Sequence, residues 1–406
     1  MAQAASASPY RWAMLFGVWL VYTCFGMAVY STAPLVEPIA RDLNLGLGAM
    51  GIVMGAWPLV YIAMAIPAGA LLDRIGVRPA LLIATFVITV SVMLRAASNG
   101  FLMLFLAVAL FGVGGPLVSV GAPKLISSWF EGRERGLAIG IYSTGPTIGA
   151  VSVLSLTNSV LMPATGQDWR LTLLIYAMLA ALAGVTWFTI SNREAARLHD
   201  PVNIAGGTLK TQFAVFASLL QLPTVRIVLL LAIGIFVFNH SLNNWLPEIL
   251  RVSGMNPAQA GLWASIPSLV GTLAALSLPR FATGRRRIPI LLTSVLLAAT
   301  ATVLIAWASG ALLGIGLILQ GIARGSMIPI AMFTLMETRE IDSKVMGAAG
   351  GLFYTAAEVG GVLGPMMTGI MADQTGGFTA PLMTLTGITL FCAMLVLALN
   401  RATRVQ

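Results

Sequence analysis

Twelve stretches of this chain are each apolar for long enough to cross a bilayer as a helix, and the polar breaks between them are short. They run from about Trp12 to Leu35, and then over roughly 47–71, 79–97, 101–127, 136–161, 171–190, 224–246, 257–278, 288–308, 311–335, 346–371 and 379–400. A spanning helix needs about 20 apolar residues. In lipid only helices or a closed barrel satisfy the backbone, and barrel strands would alternate over about ten residues, so the runs predict helices. A water-soluble fold is excluded by composition, because 58% hydrophobic and 9% charged residues cannot supply a polar surface. Residues Met1 to Pro9 carry no basic region, and the first run is too long for a signal-peptide core, so it is read as a retained span. The expectation is an all-α membrane protein with twelve transmembrane helices.

Charge sets the orientation. With both termini placed in the cytoplasm, that side collects seventeen Lys and Arg, from Arg11 to Arg404, and the other side only Arg41, Arg95, Arg170 and Arg251. The net charge of +9 therefore reflects topology rather than a nucleic-acid partner. The longest polar stretch, with Arg193, Glu194, Arg197, His199, Asp200, Gly206, Gly207 and Lys210, divides the chain into a six-helix bundle over 1–190, a cytoplasmic linker over 191–223 and a second six-helix bundle over 224–406. Cys24 and Cys392 lie inside apolar runs at opposite ends, which predicts neither a disulfide framework nor a cysteine metal site. There is no P-loop, zinc spacing or catalytic triad, so neither a cofactor nor an enzymatic activity is expected.

The two halves repeat one design. GALLDRIGVRP, Gly69 to Pro79, is a tight polar turn carrying Asp73, Arg74 and Arg78, and LPRFATGRRRIP, Leu278 to Pro289, is an eroded copy with Pro279 in the place of Asp73. ERGLAIGIYSTGPTIG, Glu134 to Gly149, likewise matches KVMGAAGGLFYTAAEVGG, Lys344 to Gly361; both are glycine-rich helices suited to close helix packing. Gly69, Asp73, Arg74, Gly76 and Arg78, together with Gly140, Gly145, Pro146 and Gly149 and the six-plus-six plan, resemble the major facilitator superfamily of secondary transporters. The resemblance implies a substrate path between the halves. It also implies a conformational latch at Asp73 with Arg74 and Arg78, paired with Arg133 or Arg135 and facing the N-terminal end of the eleventh span. The drug/proton antiporter branch would place an Arg where this chain has Val108, whereas SSWF and RERGLAIGI, within Ser127 to Ile141, look more like branches that move carboxylates and other small anions.

Chemistry belongs where charge survives in lipid, since an ionisable group at the bilayer centre costs about 3 kcal/mol or more unless paired or hydrated. Arg324 and Glu358 fall near the middle of the tenth and eleventh runs, Lys124 toward the cytoplasmic end of the fourth, and His240 in the seventh. Arg324 is read as an anion clamp, because its planar fork matches a carboxylate, or as the buried ion partner of Glu358. Glu358 is read as a proton carrier whose proton affinity is pulled one way by burial and the other by a nearby Arg, or as a packing salt bridge. Lys124 either snorkels to the interface or serves the path. In FNHSLNNWLP the pairs Asn239 with Asn243 and His240 with Asn244 recur at four-residue spacing, as substrate ligands or as polar helix glue. Tyr22, Trp57 and Tyr142 complete the proposed substrate contacts, with Tyr30, Tyr61, Trp245 and Trp263 as further aromatic lining.

The expected function is secondary transport of a small, monocarboxylate-like organic anion by alternating access, with proton symport or exchange, from a monomer in a plasma membrane of the bacterial inner-membrane type. Export of a neutral or cationic drug-like solute is the rival within transport. A non-transporting membrane sensor on the same fold is the rival outside it.

Overall fold

The computed structural model describes residues 9–197, 216–336, 341 and 346–405. Of the residues invoked above, His199, Asp200, Gly206, Gly207, Lys210 and Lys344 lie outside them. The helices that matter below are α1 (Arg11–Tyr30), α2 (Leu47–Met54), α3 (Ala56–Ile75), α4 (Val77–Ala96), α5 (Phe101–Trp129), α6 (Gly132–Ser143), α7 (Gly145–Leu156), α8 (Trp169–Ser191), α9 (Pro223–Val252), α10 (Pro257–Ser277), α11 (Arg287–Trp307), α12 (Gly310–Met336), α13 (Met346–Thr375) and α14 (Thr379–Val405).

Among the described residues, eleven helical segments are long and apolar enough to cross a membrane. They answer to eleven of the expected runs. The remaining run, 346–371, is the 30-residue helix α13, long enough to span but diluted by seven glycines and by Tyr354, Thr355 and Glu358. Phe86, Leu102, Leu273 and Trp307 are 66% to 70% exposed, a pattern that only an apolar solvent rewards.

The chain divides into two compact units, one of Met1–Leu45, Ala56–Gly206 and Pro257–Gly261, the other of Gly46–Gly55, Gly207–Asn256 and Leu262–Gln406. The division cuts the span Leu47–Ile75 at Gly55, where α2 ends and α3 begins. It also cuts α10 after Gly261.

Within each unit the helices meet at glycines, as the repeated sequence elements predict. In the first unit a Cβ at Gly149 would collide with the Thr23 carbonyl oxygen, and one at Gly26 with that of Pro146, so α1 and α7 touch backbone to backbone. In the second, Gly360 and Gly364 lie against the carbonyls of Ile233 and Val237, which brings α13 onto α9 in the same way. A second pairing repeats too: Gly112 of α5 lies on the Trp57 carbonyl of α3, and Gly325 of α12 on the Gly271 carbonyl of α10. Without a hydrophobic force between helices in lipid, such backbone approach supplies the packing energy. The turn between α3 and α4 is Gly76 alone, at φ 86°, which is why a side chain is disfavoured there. Its copy is longer: Pro279–Phe281 and Gly284–Arg286 are separate 3-10 turns.

Candidate functional site

The glycine crossings decide which polar groups meet in the second unit. Gly321 and Gly325 seat α12 on the backbone of α10 at Pro267 and Gly271, and this carries Arg324, half-buried in the middle of α12, alongside Ser268. Arg324 Nη1 donates to Ser268 Oγ at 2.9 Å. The Gly360 and Gly364 contacts bring His240 of α9 against α13, where its Nε2 lies 3.9 Å from Glu358 Oε2. Gly361 leaves the space for this pair: a Cβ there would fall 2.5 Å from the carboxylate oxygen and 3.2 Å from the imidazole. His240 stacks on Phe236, with ring centroids 5.4 Å apart. Of the two readings of these groups, the Arg324–Glu358 ion pair is not the contact found: Arg324 hydrogen-bonds Ser268 and Glu358 approaches His240, because α13 presents Glu358 to α9.

Asn239 is 3% exposed, and both atoms of its amide are buried without a hydrogen-bond partner, as are Gln320 Oε1 and Glu358 Oε2. A stranded buried polar atom costs about 1–3 kcal/mol, so native folds keep few of them. Gln320 escaped the sequence reading although it lies four residues before Arg324, hence on the same helix face. Asn243 is only partly buried. Asn244 donates to the His240 carbonyl at 2.8 Å, and Trp245 to that of Pro365 at 2.9 Å, so these two serve the helix and its packing.

In the first unit Tyr22, Trp57 and Tyr142 join one aromatic chain. Tyr142 stacks on Tyr22 at 5.8 Å, Tyr22 meets Phe25 at 5.4 Å, Phe25 meets Phe111 at 5.1 Å, and Trp57 stands edge-on to both Phe111 and Tyr61. The chain ends on a hydrogen bond of 2.7 Å between Tyr61 Oη and Ser119 Oγ.

At the Gly76 turn, Asp73 accepts from Lys124 Nζ at 2.5 Å. The expected partners Arg133 and Arg135 are exposed on α6, and Glu134 between them pairs instead with Arg11 at 3.1 Å. Arg74 is exposed, and the Arg78 carbonyl accepts from Trp187 Nε1. Lys124 reaches Asp73 because Gly121, one turn earlier, lets α5 close on Leu72 and Val77. The pair is about one-third exposed on each side, so its worth is about 1 kcal/mol or less. We expect Asp73→Asn and Lys124→Met each to slow transport about three- to fivefold with little change in ligand affinity, and the double variant to be no slower than either. Additive losses in a double-mutant cycle of transport rates would show that the two act separately.

Arg95, counted from sequence among the cations of the non-cytoplasmic side at the end of the third run, is 1% exposed in the last turn of α4. It donates to the Ala28 carbonyl at 2.7 Å, Ser31 Oγ at 3.0 Å and Ser91 Oγ at 3.3 Å, and its guanidinium lies over the Phe111 ring. It thereby satisfies a carbonyl freed at the end of α1. No group of three or more His, Cys, Asp or Glu side chains among the described residues could hold a metal ion.

The family description Major Facilitator Superfamily matches residues 18–350 and again 228–405. The chain is 29% identical to an uncharacterized transporter, YycB, of Bacillus subtilis, over 90% of this chain and 88% of that one. It is 22% identical to a hexuronate transporter of the same organism, over 92% and 90%. A probable galactarate/D-glucarate transporter, also of Bacillus subtilis, is 23% identical over 93% and 89%. A quinolone resistance transporter of Acinetobacter baumannii is 25% identical over 87% and 85%. Among solved structures, the nucleoside transporter NupG in its D323A form shares the fold, with a TM-score of 0.81 at 15% identity over 96% of this chain and 99% of that one.

Proposed function

This chain belongs to the major facilitator superfamily, is a multi-pass integral membrane protein, and on that premise we propose that it is a secondary transporter moving a small organic anion by alternating access. Coupling is by proton symport or by exchange. In this reading α13 is the twelfth span, both termini face the cytoplasm of a bacterial inner membrane, and the transporter works as a monomer. No catalytic reaction is part of it.

The observation that carries the reading is Arg324. Its guanidinium sits mid-helix in an apolar unit with Nη1 on a neutral hydroxyl, a partner that a carboxylate can replace with two parallel charge-assisted bonds. Asn239 and Gln320 supply unsatisfied amide atoms of the kind that suit a carboxylate bearing hydroxyls. The relatives named for hexuronate and for galactarate and D-glucarate support an acidic, hydroxylated solute. Asn243, Tyr22, Tyr142 and Trp57 are proposed as further substrate contacts, and Asp73 with Lys124, Arg74 and Arg78 as the latch.

One observation favours a second reading, export of a drug-like solute: the relative named for quinolone resistance. Thermal unfolding of the purified protein separates the two, because a ligand that binds only the folded state stabilises it by mass action. Small hydroxy-carboxylates are expected to raise the Tm, with inorganic anions weaker. Stabilisation by cationic drugs alone would overturn the anion reading.

A further inference from the structure

Helix α2 begins at Gly46, which has no side chain to cap it, yet its first two amides are satisfied. Asp373, from the last turn of α13, accepts from Leu47 N through Oδ1 at 2.8 Å and from Gly48 N through Oδ2 at 2.6 Å. A carboxylate in the last turn opposes the dipole of its own helix, while at the first turn of another it is favourable. Asp373 is therefore placed for α2, not for α13. Several further contacts between the two helices run through glycines: Gly51 lies on the Pro365 carbonyl, Gly55 on that of Val362, and Gly369 on that of Leu47. These are close backbone approaches, and the ends of α2 are its cap and Gly55. Gly55 is also where the compact unit containing α2 gives way to the one containing α3, within a single membrane span.

We propose that Asp373 is a releasable clasp, a positioning residue that holds α2 on α13 in one state of the transport cycle and frees it in another. The proposal rests on alternating access as proposed above, but not on the identity of the substrate. With the carboxylate in place, both leading amides of α2 are satisfied and Gly48, Gly51 and Gly55 stay seated. With it withdrawn, two amides at the positive end of α2 are left to water, and the glycine faces lose the bond that holds them together at that end.

The test uses the full chain in detergent and a maleimide thiol probe. Met50 of α2 is 0% exposed, so Met50→Cys reports when α2 lifts; Ser326, also 0% exposed within the same unit, gives the control Ser326→Cys. Cys24 and Cys392 are both buried, and the parent chain supplies their background. Met50→Cys is expected to react slowly but to completion in an otherwise unaltered chain while Ser326→Cys stays unreacted. Asp373→Ala should speed Met50→Cys on the order of tenfold, and Asp373→Asn, which keeps one acceptor, by less. Gly46→Ala is a second route that leaves the carboxylate unaltered: its Cβ would sit 2.7 Å from Asp373 Oδ2 and displace it, so it too should speed the reaction. Unchanged labelling in Asp373→Ala and Gly46→Ala overturns the clasp, as does an equal rise at Ser326→Cys, which would mean that the whole unit has loosened. Thiol exposure does not depend on substrate, so the expected rise upholds the clasp even where the thermal screen finds no ligand.

Discussion

Arg324→Lys is expected to weaken carboxylate binding on the order of thirtyfold while leaving the Tm of the ligand-free protein nearly unchanged. Lysine keeps the positive charge but presents a single ammonium in place of a planar fork, so one of two parallel bonds to a carboxylate is lost. The resting contact is easier to keep: Ser268 Oγ needs one donor, which Lys can supply along the same face of α12. Gln320 stays one turn away to test the surroundings. Calorimetry with a ligand first shown to bind the parent measures the effect. Unchanged affinity in a correctly folded variant would make Arg324 a packing residue and remove the main support for an anionic substrate.

Glu358→Gln is expected to reduce uptake driven by a pH gradient to the level of protein-free liposomes, while exchange of substrate without a gradient continues. Glu358 is 7% exposed, has one oxygen without a hydrogen-bond partner, and faces His240 Nε2 at 3.9 Å. A proton in this cluster can sit on the carboxyl or on the ring. On the proposed anion reading, a carboxylate arriving at Arg324 is expected to change the balance between them, which would link substrate and proton without any direct Arg324–Glu358 contact. Glutamine has the same shape and cannot titrate, so the fold is kept and the coupling is lost. Full-rate gradient-driven uptake by the variant in proteoliposomes would exclude Glu358 as the proton carrier. His240→Gln provides the matching check on the ring, with the same loss expected if the two share the proton.

Much of the architecture was legible because bilayer physics leaves few options. Runs of about 20 apolar residues must be helices. The glycine-rich stretches were expected to be faces of close helix approach, which holds at Gly145, Gly149 and Gly360 but not at Gly140, Gly347 and Gly351, where an added Cβ would meet nothing. A tight turn within Gly69 to Pro79 was legible, but the structure narrows it to Gly76, with Asp73 and Arg74 still in α3 and Arg78 already in α4. Arg324, Glu358 and His240 were found by the cost of charge in lipid, and their presence in one unit follows from the helices that carry them. Asn239 was found by polarity alone.

Partner assignments were not legible. Asp73 has Lys124 in place of Arg133 or Arg135, Glu358 has His240 in place of Arg324, Arg95 is buried on Ala28 and Ser31, and Asp373 caps a helix more than 300 residues earlier in the chain. Hydropathy and spacing specify which residues share a face of one helix. They say nothing of how far each helix is rotated and slid against its neighbours, and a shift of one turn, about 5.4 Å, exceeds the reach of any hydrogen bond. By itself the sequence determined a membrane-embedded, internally repeated helical protein with charge in its interior. Only the tertiary structure, through the glycine crossings that set rotation and depth, decided which charge answers which.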